Sequence, residues 1–233
     1  SSSLSTIVFD DPVCSLDHLY REKIAERLAR EAGKRQVIIF THDIAFLLEL
    51  KAKCGELEGT YFLPQTVLKI NGQPGRAING LPWHAMSVND RIGYLNNELN
   101  GFRSLYKTDL SNYDDQAGQL YSLLRETWEA SIEEVLFQGS VVRHSNEIQT
   151  LKLSYVTVSD EDYRQIHLGM SKCSRWKFGH DKAKAISEHR PQPDEIQRDI
   201  NDLKEFVKRV NVRCKDVRSG RLASLEPKKP DVG

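Results

Sequence analysis

Two stretches decide the fold of this chain: Thr6-Ile7-Val8-Phe9-Asp10-Asp11 and Val37-Ile38-Ile39-Phe40-Thr41-His42-Asp43. Each is a short continuous apolar run that ends in polar residues, a pattern typical of buried parallel strands. The segment between them, residues 17–32, has apolar residues at helical spacing and is followed by Gly33. This order predicts a doubly wound α/β fold, in which ligands bind at the carboxyl ends of the strands. Both acids and the histidine stand at those ends.

The order of these residues resembles the second half of an ABC-type ATPase. The first strand with its two acids is similar to a Walker B element, and the second, ending in Thr-His-Asp, is similar to an H-loop. The resemblance implies that Asp10 binds Mg²⁺ and that Asp11 orients or deprotonates the attacking water. It implies that His42 contacts the γ-phosphate of ATP. Most ABC-type ATPases have Glu where this chain has Asp11, so the match is incomplete there.

The segment after the acidic pair, Pro12 to Asp17, resembles a D-loop because it ends in Ser-Leu-Asp. In that family the D-loop crosses a dimer interface, which implies nucleotide-binding roles for Ser15 and Asp17. A simpler interpretation of an isolated acidic pair is a buried strand with acids at its tip. The ordered series of acids, Ser-Leu-Asp, helix and Thr-His-Asp favours the ATPase interpretation.

Two motifs that an ABC-type ATPase requires do not occur in this sequence. There is no Gly-rich phosphate loop ending in Gly-Lys-Ser/Thr and no Leu-Ser-Gly-Gly-like signature. The resemblance therefore predicts that a missing N-terminal ATPase segment, or a second chain, supplies them. It also predicts that the isolated chain is inactive towards ATP, and that ATP promotes a homodimer or higher oligomer.

Composition restricts the class of protein further. The 233 residues contain 33 basic and 33 acidic side chains, so nucleic acid would have to bind at a local patch. The four cysteines are far apart and lack Cys-x-x-Cys spacing, as expected for reduced thiols. No apolar run approaches the roughly 20 residues of a membrane span, and no signal peptide is apparent. We expect a cytoplasmic protein with no membrane partner.

The pattern along the chain predicts three regions. Residues 1–80 form a partial ABC-type ATPase lobe with a mainly parallel sheet, residues 81–214 a mainly α-helical domain, and residues 215–233 a flexible basic tail. Gly55 is expected to end the helix after the second strand, and one or two further strands are expected in residues 60–70. In the helical domain the predicted elements are helices over 88–110, 113–137, 159–170, 181–186 and 193–214, with an extended piece at Leu153–Val158.

The helical domain contains a second group of candidate site residues. Arg125 and Glu129 are four residues apart and therefore share one face of a helix. Arg175 and His180 form an Arg-x4-His pattern, and Trp176 beside them offers a ring for stacking a base. RNA cleavage by transesterification needs a base, an acid and a cation at the phosphate, which His and Arg supply without a metal. The alternative interpretation of Arg125 and Glu129 is a surface ion pair.

The chain also resembles bacterial ATPases related to tRNA anticodon nucleases, which couple an ABC-type ATPase to phage defence. The resemblance is carried by the two strand motifs and is loose in the helical region. In those nucleases an Arg-x3-Glu and a downstream His form the ribonuclease site. This implies a site made of Arg125, Glu129 and one of the histidines His144, His167 and His180. Helical ribonucleases of the HEPN type use an Arg-x4–6-His pattern, which the 175–180 segment matches.

These features lead to three hypotheses about function. The first is a phage-defence ATPase segment in which ATP-driven dimerisation controls a helical effector that acts on tRNA or DNA. The second is a segment of an SMC-like DNA-repair ATPase, whose helical domain serves only for dimerisation or docking. The third is a regulator that recruits a separate effector protein or toxin.

Overall fold

The computed structural model describes residues 5–14, 18–70, 73–142, 148–177 and 190–225. It is a mostly helical α/β structure with two small sheets. The chain divides into two compact units, Ser1–Met86 and Ser87–Gly233. Across the described ranges, no helix is both long enough and apolar enough to cross a membrane.

The first unit alternates strands and helices before ending in a hairpin. Its elements are β1 (Ile7–Asp10), α1 (His18–Ala32), β2 (Val37–Phe40), α2 (Ile44–Glu56), β3 (Gln65–Ile70), β4 (Gln73–Asn79) and a short 3-10 turn at Trp83–Ala85. Gly55 does not end α2 as predicted, because the helix continues to Glu56 and is capped at Leu57, whose N–H donates to the Cys54 carbonyl.

Strands β1 and β2 pair in parallel, with Ile7 opposite Val37 and Asp10 opposite Phe40. Alternate residues point to opposite faces of the sheet. One face packs on α1 and α2, where the buried core consists of Val13, Ala25, Leu28, Phe46 and Leu50. On the other face Val8 is 58% exposed, Ile38 37% and Phe40 53%. A parallel sheet normally has both faces covered, so this apolar face departs from the usual arrangement.

Strands β3 and β4 form a separate antiparallel sheet, with Gln65 opposite Asn79 and an irregularity after Leu68. The predicted mainly parallel sheet is therefore wrong for this part of the unit: one sheet of the two is parallel. Only two residues separate β3 from β4 in the sequence. Such a connection permits antiparallel pairing alone, since parallel strands need a crossover of a dozen or more residues.

The second unit is helical. Its α-helices are α3 (Val88–Phe102), α4 (Leu105–Thr108), α5 (Leu110–Ser131), α6 (Asp160–Lys177) and α7 (Pro193–Leu225). A π-helical turn, Ile132–Leu136, continues α5, and a 3-10 turn lies at Thr150–Ser154. Its core comes mainly from the apolar faces of α3, α5 and α7, and its largest fully buried side chains include Leu95, Leu99, Tyr113, Leu120, Tyr121, Leu124, Ile196, Ile200, Leu203 and Phe206.

Several predicted boundaries in this unit are wrong. The predicted helix over 88–110 is broken after Phe102, and the helix predicted to end near Met170 continues to Lys177. The piece predicted to be extended, Leu153–Val158, begins instead in the 3-10 turn. Residues 215–225, predicted to be the start of a flexible tail, form the end of α7. The predicted helix at 181–186 lies outside the described residues.

Arginines explain why α7 continues into the predicted tail. Arg221 Nη1 donates to the carbonyls of Leu153, Ser154 and Val156 at 2.9–3.1 Å. The Arg218 guanidinium lies 4.5 Å from the centre of the Tyr155 ring. These contacts give side-chain donors to carbonyls at the end of the 3-10 turn and just beyond it. Arg218 and Arg221 thus bind the chain itself.

Asp162 anchors the same region from α6. Its side chain is fully buried, and its carboxylate accepts from Ser159 N at 2.8 Å and from Arg209 Nη2 at 3.0 Å. It also forms an ion pair with Arg213. Burial alone raises the pKa of Asp162, but hydrogen bonds from Arg213, Ser159 and Arg209 outweigh it, so the pKa lies below its ordinary value.

Helices α5 and α6 cross closely at Gly169. A Cβ atom added there would lie 2.6–2.8 Å from the indole ring of Trp128. We expect Gly169→Ala to lower the free energy of unfolding by about 1 to 3 kcal/mol, because the buried ring would have to move. Urea denaturation measures this. The matched control is Gly101→Ala in α3, where no atom lies within 4 Å; it should stabilise by roughly 0.5 to 1 kcal/mol. Equal effects at both sites would contradict the close crossing.

Asp162→Asn should lower the free energy of unfolding at pH 7 by about 3 kcal/mol, because two arginines lose their buried counter-charge. The folded pKa of Asp162 is lowered. The Asp162 carboxylate therefore contributes its full stabilisation at a pH above about 3.9, the ordinary pKa of Asp in an unfolded chain. This stabilisation is lost as the pH falls from that value through the lower pKa of the folded state. Unfolding measured at pH 7 and pH 3 should show a smaller pH dependence in Asp162→Asn than in wild type. The control is Asp160→Asn at an exposed position, which should leave the pH dependence of unfolding close to that of wild type.

Candidate functional site

Asp11 lies immediately beyond the carboxyl end of β1. Its N–H donates to the Phe40 carbonyl at 2.8 Å, which continues the contact with β2 past the last paired residue. Its backbone has φ of 44°, in the left-handed region that Asp tolerates better than most residues. The next turn begins here, because the Cys14 N–H donates to the Asp11 carbonyl at 3.2 Å. The acidic side chain is thus positioned by the backbone of both strands.

The carboxylate of Asp11 contacts two side chains from the end of β2. Thr41 Oγ1 donates to Asp11 Oδ1 at 2.9 Å. His42 Nδ1 lies 2.6 Å from Asp11 Oδ2. The Asp11 side chain is 18% exposed and that of His42 is 85% exposed, so a largely buried acid contacts a solvent-exposed imidazole. The structure therefore brings together the acid and the histidine that the two strand motifs single out.

Asp43 fixes the turn that follows β2. Its side chain caps α2 by accepting from the Phe46 N–H at 3.0 Å, and its own N–H donates to Thr41 Oγ1 at 3.1 Å. Its second carboxylate oxygen lies 2.9 Å from Nη2 of Arg21 in α1. These contacts connect the helix after the first strand with the helix after the second. Thr41, Asp43 and Arg21 were not among the predicted site residues, although an Asp before an apolar helix is a readable capping signal.

Asp10 is the last residue of β1, opposite Phe40, and its side chain is exposed on the uncovered face of the sheet. In the described part of the chain no group of three or more His, Cys, Asp or Glu is arranged to hold a metal ion. A nucleotide-associated Mg²⁺ needs only one or two protein carboxylates, because phosphates and waters complete its octahedron. An exposed carboxylate at a strand end fits that requirement. The predicted D-loop residues Ser15 and Asp17 lie outside the described residues.

In the helical unit, Arg125 and Glu129 form an ion pair, with Nε and Oε1 3.2 Å apart and both side chains about one-third exposed. Arg125 Nη1 also donates to the Ser174 hydroxyl of α6. That hydroxyl donates in turn to the Met170 carbonyl at 2.7 Å. These contacts join α5 to α6, and they match the ion-pair interpretation of the two residues.

Of the downstream candidates, the structure describes His167, Arg175 and Trp176. The ring of His167 stacks on Tyr163, with centroids 5.9 Å apart. Trp176 stacks on Tyr121, with centroids 5.8 Å apart, so its ring packs within the helical unit. His167 and Ser174 are seven residues apart on α6, about 10 Å along the helix axis. The other predicted histidines, His144 and His180, lie outside the described residues.

No protein-family model matches this sequence, and comparisons with curated proteins and with solved structures find no match either. Function must therefore be inferred from the residues of the chain and their arrangement.

Thiol reactivity provides a test of the region around Asp11. Cys14 is exposed, whereas Cys54, Cys173 and Cys214 are buried. Burial raises the pKa of all three buried thiols, and that of Cys173 to about 12. We expect one thiol to react rapidly with Ellman's reagent in the folded protein and four in denaturant, since the thiolate is the nucleophile. Cys14→Ser should abolish the rapid reaction. Two or more fast thiols in the folded protein would contradict the described packing.

Proposed function

We propose that this chain carries the Mg²⁺-binding and water-activating half of an ABC-type ATPase site. The observation that supports it best is the contact between Asp11, at the end of β1, and His42, at the end of the adjacent parallel strand. In this proposal Asp10 binds Mg²⁺, which offsets the charge of the phosphates when bound. Asp11 orients or deprotonates the attacking water, and His42 binds the γ-phosphate.

The chemistry of His42 is compatible with both contacts at once. A protonated imidazole has two N–H donors, so Nδ1 can bond to Asp11 while Nε2 donates to a phosphate oxygen. With the phosphate bound, the histidine would connect the substrate to the carboxylate that acts on the water. Its high exposure leaves Nε2 accessible to a ligand.

The uncovered sheet face supports the proposal that further polypeptide completes the site. Val8, Ile38 and Phe40 expose apolar surface on a two-stranded parallel sheet, whereas such sheets are normally covered on both faces. The sequence also contains no phosphate loop. The occupant that fits both observations is the segment or chain carrying that loop, whose own strands and helices would extend and cover the sheet. Nucleotide held between two such sites would make a homodimer or higher oligomer.

The finer functional assignment comes from the resemblance to phage-defence ATPases. We propose that nucleotide state controls the helical unit, which acts as an effector or binds one. The described part of the candidate ribonuclease group is engaged in helix packing, through Arg125 with Ser174 and Trp176 with Tyr121. Recruitment of a separate effector protein is therefore the form of the proposal that these contacts favour. A tRNA cleavage assay with His180→Ala and Arg125→Ala distinguishes the two, since loss of cleavage in both variants, with the helical unit still folded, would support an intrinsic nuclease.

The ATPase proposal is tested with the complete ATPase, that is, this chain together with the segment or chain that supplies the phosphate loop. Asp11→Asn should retain ATP binding and lower kcat for ATP hydrolysis by about 10²- to 10⁴-fold, because it removes a general base. It should also lengthen the lifetime of the ATP-bound dimer. Asp10→Ala should weaken Mg²⁺-dependent binding of ATP instead. Phosphate release and gel filtration measure these effects.

The isolated chain is the negative control and should not hydrolyse ATP. An Asp11→Asn variant with the activity of wild type would contradict the assignment of Asp11. Mg²⁺-dependent turnover by the isolated chain would contradict the divided site.

A further inference from the structure

We propose that Thr41 is a positioning residue for Asp11, and this inference rests on the proposed ATPase function. Its side chain lies between the acid and the start of α2. The hydroxyl donates to Asp11 Oδ1 at 2.9 Å and accepts from the Asp43 N–H at 3.1 Å. Both bonds are partly buried. The other carboxylate oxygen of Asp11, Oδ2, lies 2.6 Å from His42 Nδ1.

The direction of the hydroxyl proton follows from these two neighbours. A Thr hydroxyl has one donor and two acceptor lone pairs. The Asp43 N–H can only donate, so it occupies an acceptor position on the oxygen. The ionised carboxylate can only accept, so it receives the proton. A charge-assisted bond of this kind is stronger and more strictly oriented than one between neutral groups.

The backbone of Asp43 is fixed by its own contacts, so its N–H holds the Thr41 hydroxyl in place, and the hydroxyl in turn holds the Asp11 carboxylate. Asp43 caps α2 through Phe46 and pairs with Arg21 of α1. A mobile threonine would leave the carboxylate free to rotate about its Cβ–Cγ bond. Because the Asp43 N–H at the start of α2 holds its hydroxyl, Thr41 fixes Oδ1 of Asp11. The other oxygen, Oδ2, is left to contact His42.

The two contacts to Asp11 differ in how they can respond to substrate. His42 is 85% exposed, and in this proposal its Nε2 would donate to the phosphate. The Thr41 hydroxyl is partly buried and is already engaged by Asp11 and by the Asp43 N–H. The acid is thus held by one partner that engages ATP and by one that stays in place.

The test is the kinetics of Thr41→Val and Thr41→Ser in the complete ATPase. Valine has nearly the shape of threonine but no hydroxyl, so it should lower kcat about 10- to 100-fold through misplacement of the acid. KM for ATP should be unchanged, because Thr41 does not contact the nucleotide. Serine retains the hydroxyl and should retain most of the activity. Thr41→Ala has the same expectation as valine and replaces it if the valine variant does not fold.

Thr66→Val is the matched control. Thr66 Oγ1 donates to the Gly80 carbonyl at 3.0 Å in the hairpin, so the same change removes a threonine hydrogen bond away from the acid. Its kcat should equal that of wild type. The inference about Thr41 is overturned by any of three results: full activity in Thr41→Val, equal losses in the valine and serine variants, or a change confined to KM.

Failure of the ATPase proposal gives a different result. In that case wild type lacks Mg²⁺-dependent turnover, or Asp11→Asn is as active as wild type. Loss of activity in Asp11→Asn together with an active Thr41→Val would leave the ATPase proposal intact and refute only the role of Thr41.

Discussion

The parallel register of β1 and β2 is the constraint on which the candidate site depends. Because Asp10 pairs with Phe40, the next residues of both strands leave the sheet side by side. The Asp11 N–H then bonds to the Phe40 carbonyl, and Thr41 and His42 reach the Asp11 carboxylate from the neighbouring strand. A shift of one residue in this pairing would send alternate side chains to the opposite face and separate the three groups.

The two units use polar contacts in different ways. In the first unit they gather at one exposed sheet edge and connect α1 to α2 through Arg21 and Asp43, so the geometry of the acid depends on both helices. In the helical unit they are directed inwards. Asp162 is buried between arginines of α7, and Tyr121 donates to Asp199 at 2.7 Å while Lys172 pairs with the same carboxylate. Burial of such groups is tolerated only when they are paired, which makes these clusters determinants of helix position.

In the second unit, several basic side chains bind other parts of the same chain. When only the sequence is considered, the cluster of Arg213, Lys215, Arg218 and Arg221 is compatible with either a nucleic-acid contact or a soluble tail. In the structure Arg213 pairs with Asp162, Arg218 lies over Tyr155 and Arg221 binds three carbonyls. Guanidinium groups used in this way stabilise an irregular segment that has no backbone ladder.

Local sequence determined β1, β2, the first helix and the acids at the end of β1, because a continuous apolar run with polar residues at its end has few other solutions. It also determined the helical character of residues 88–136, through apolar residues at helical spacing. The continuation of α7 past Cys214 and the hydrogen bond from Thr41 to Asp11 depended on tertiary structure. Each of them comes from a contact between residues distant in the chain, such as Arg221 with Leu153 or Thr41 with Asp11. Spacing within one segment carries no information about such partners, since hydrogen-bond geometry is set only when the elements pack.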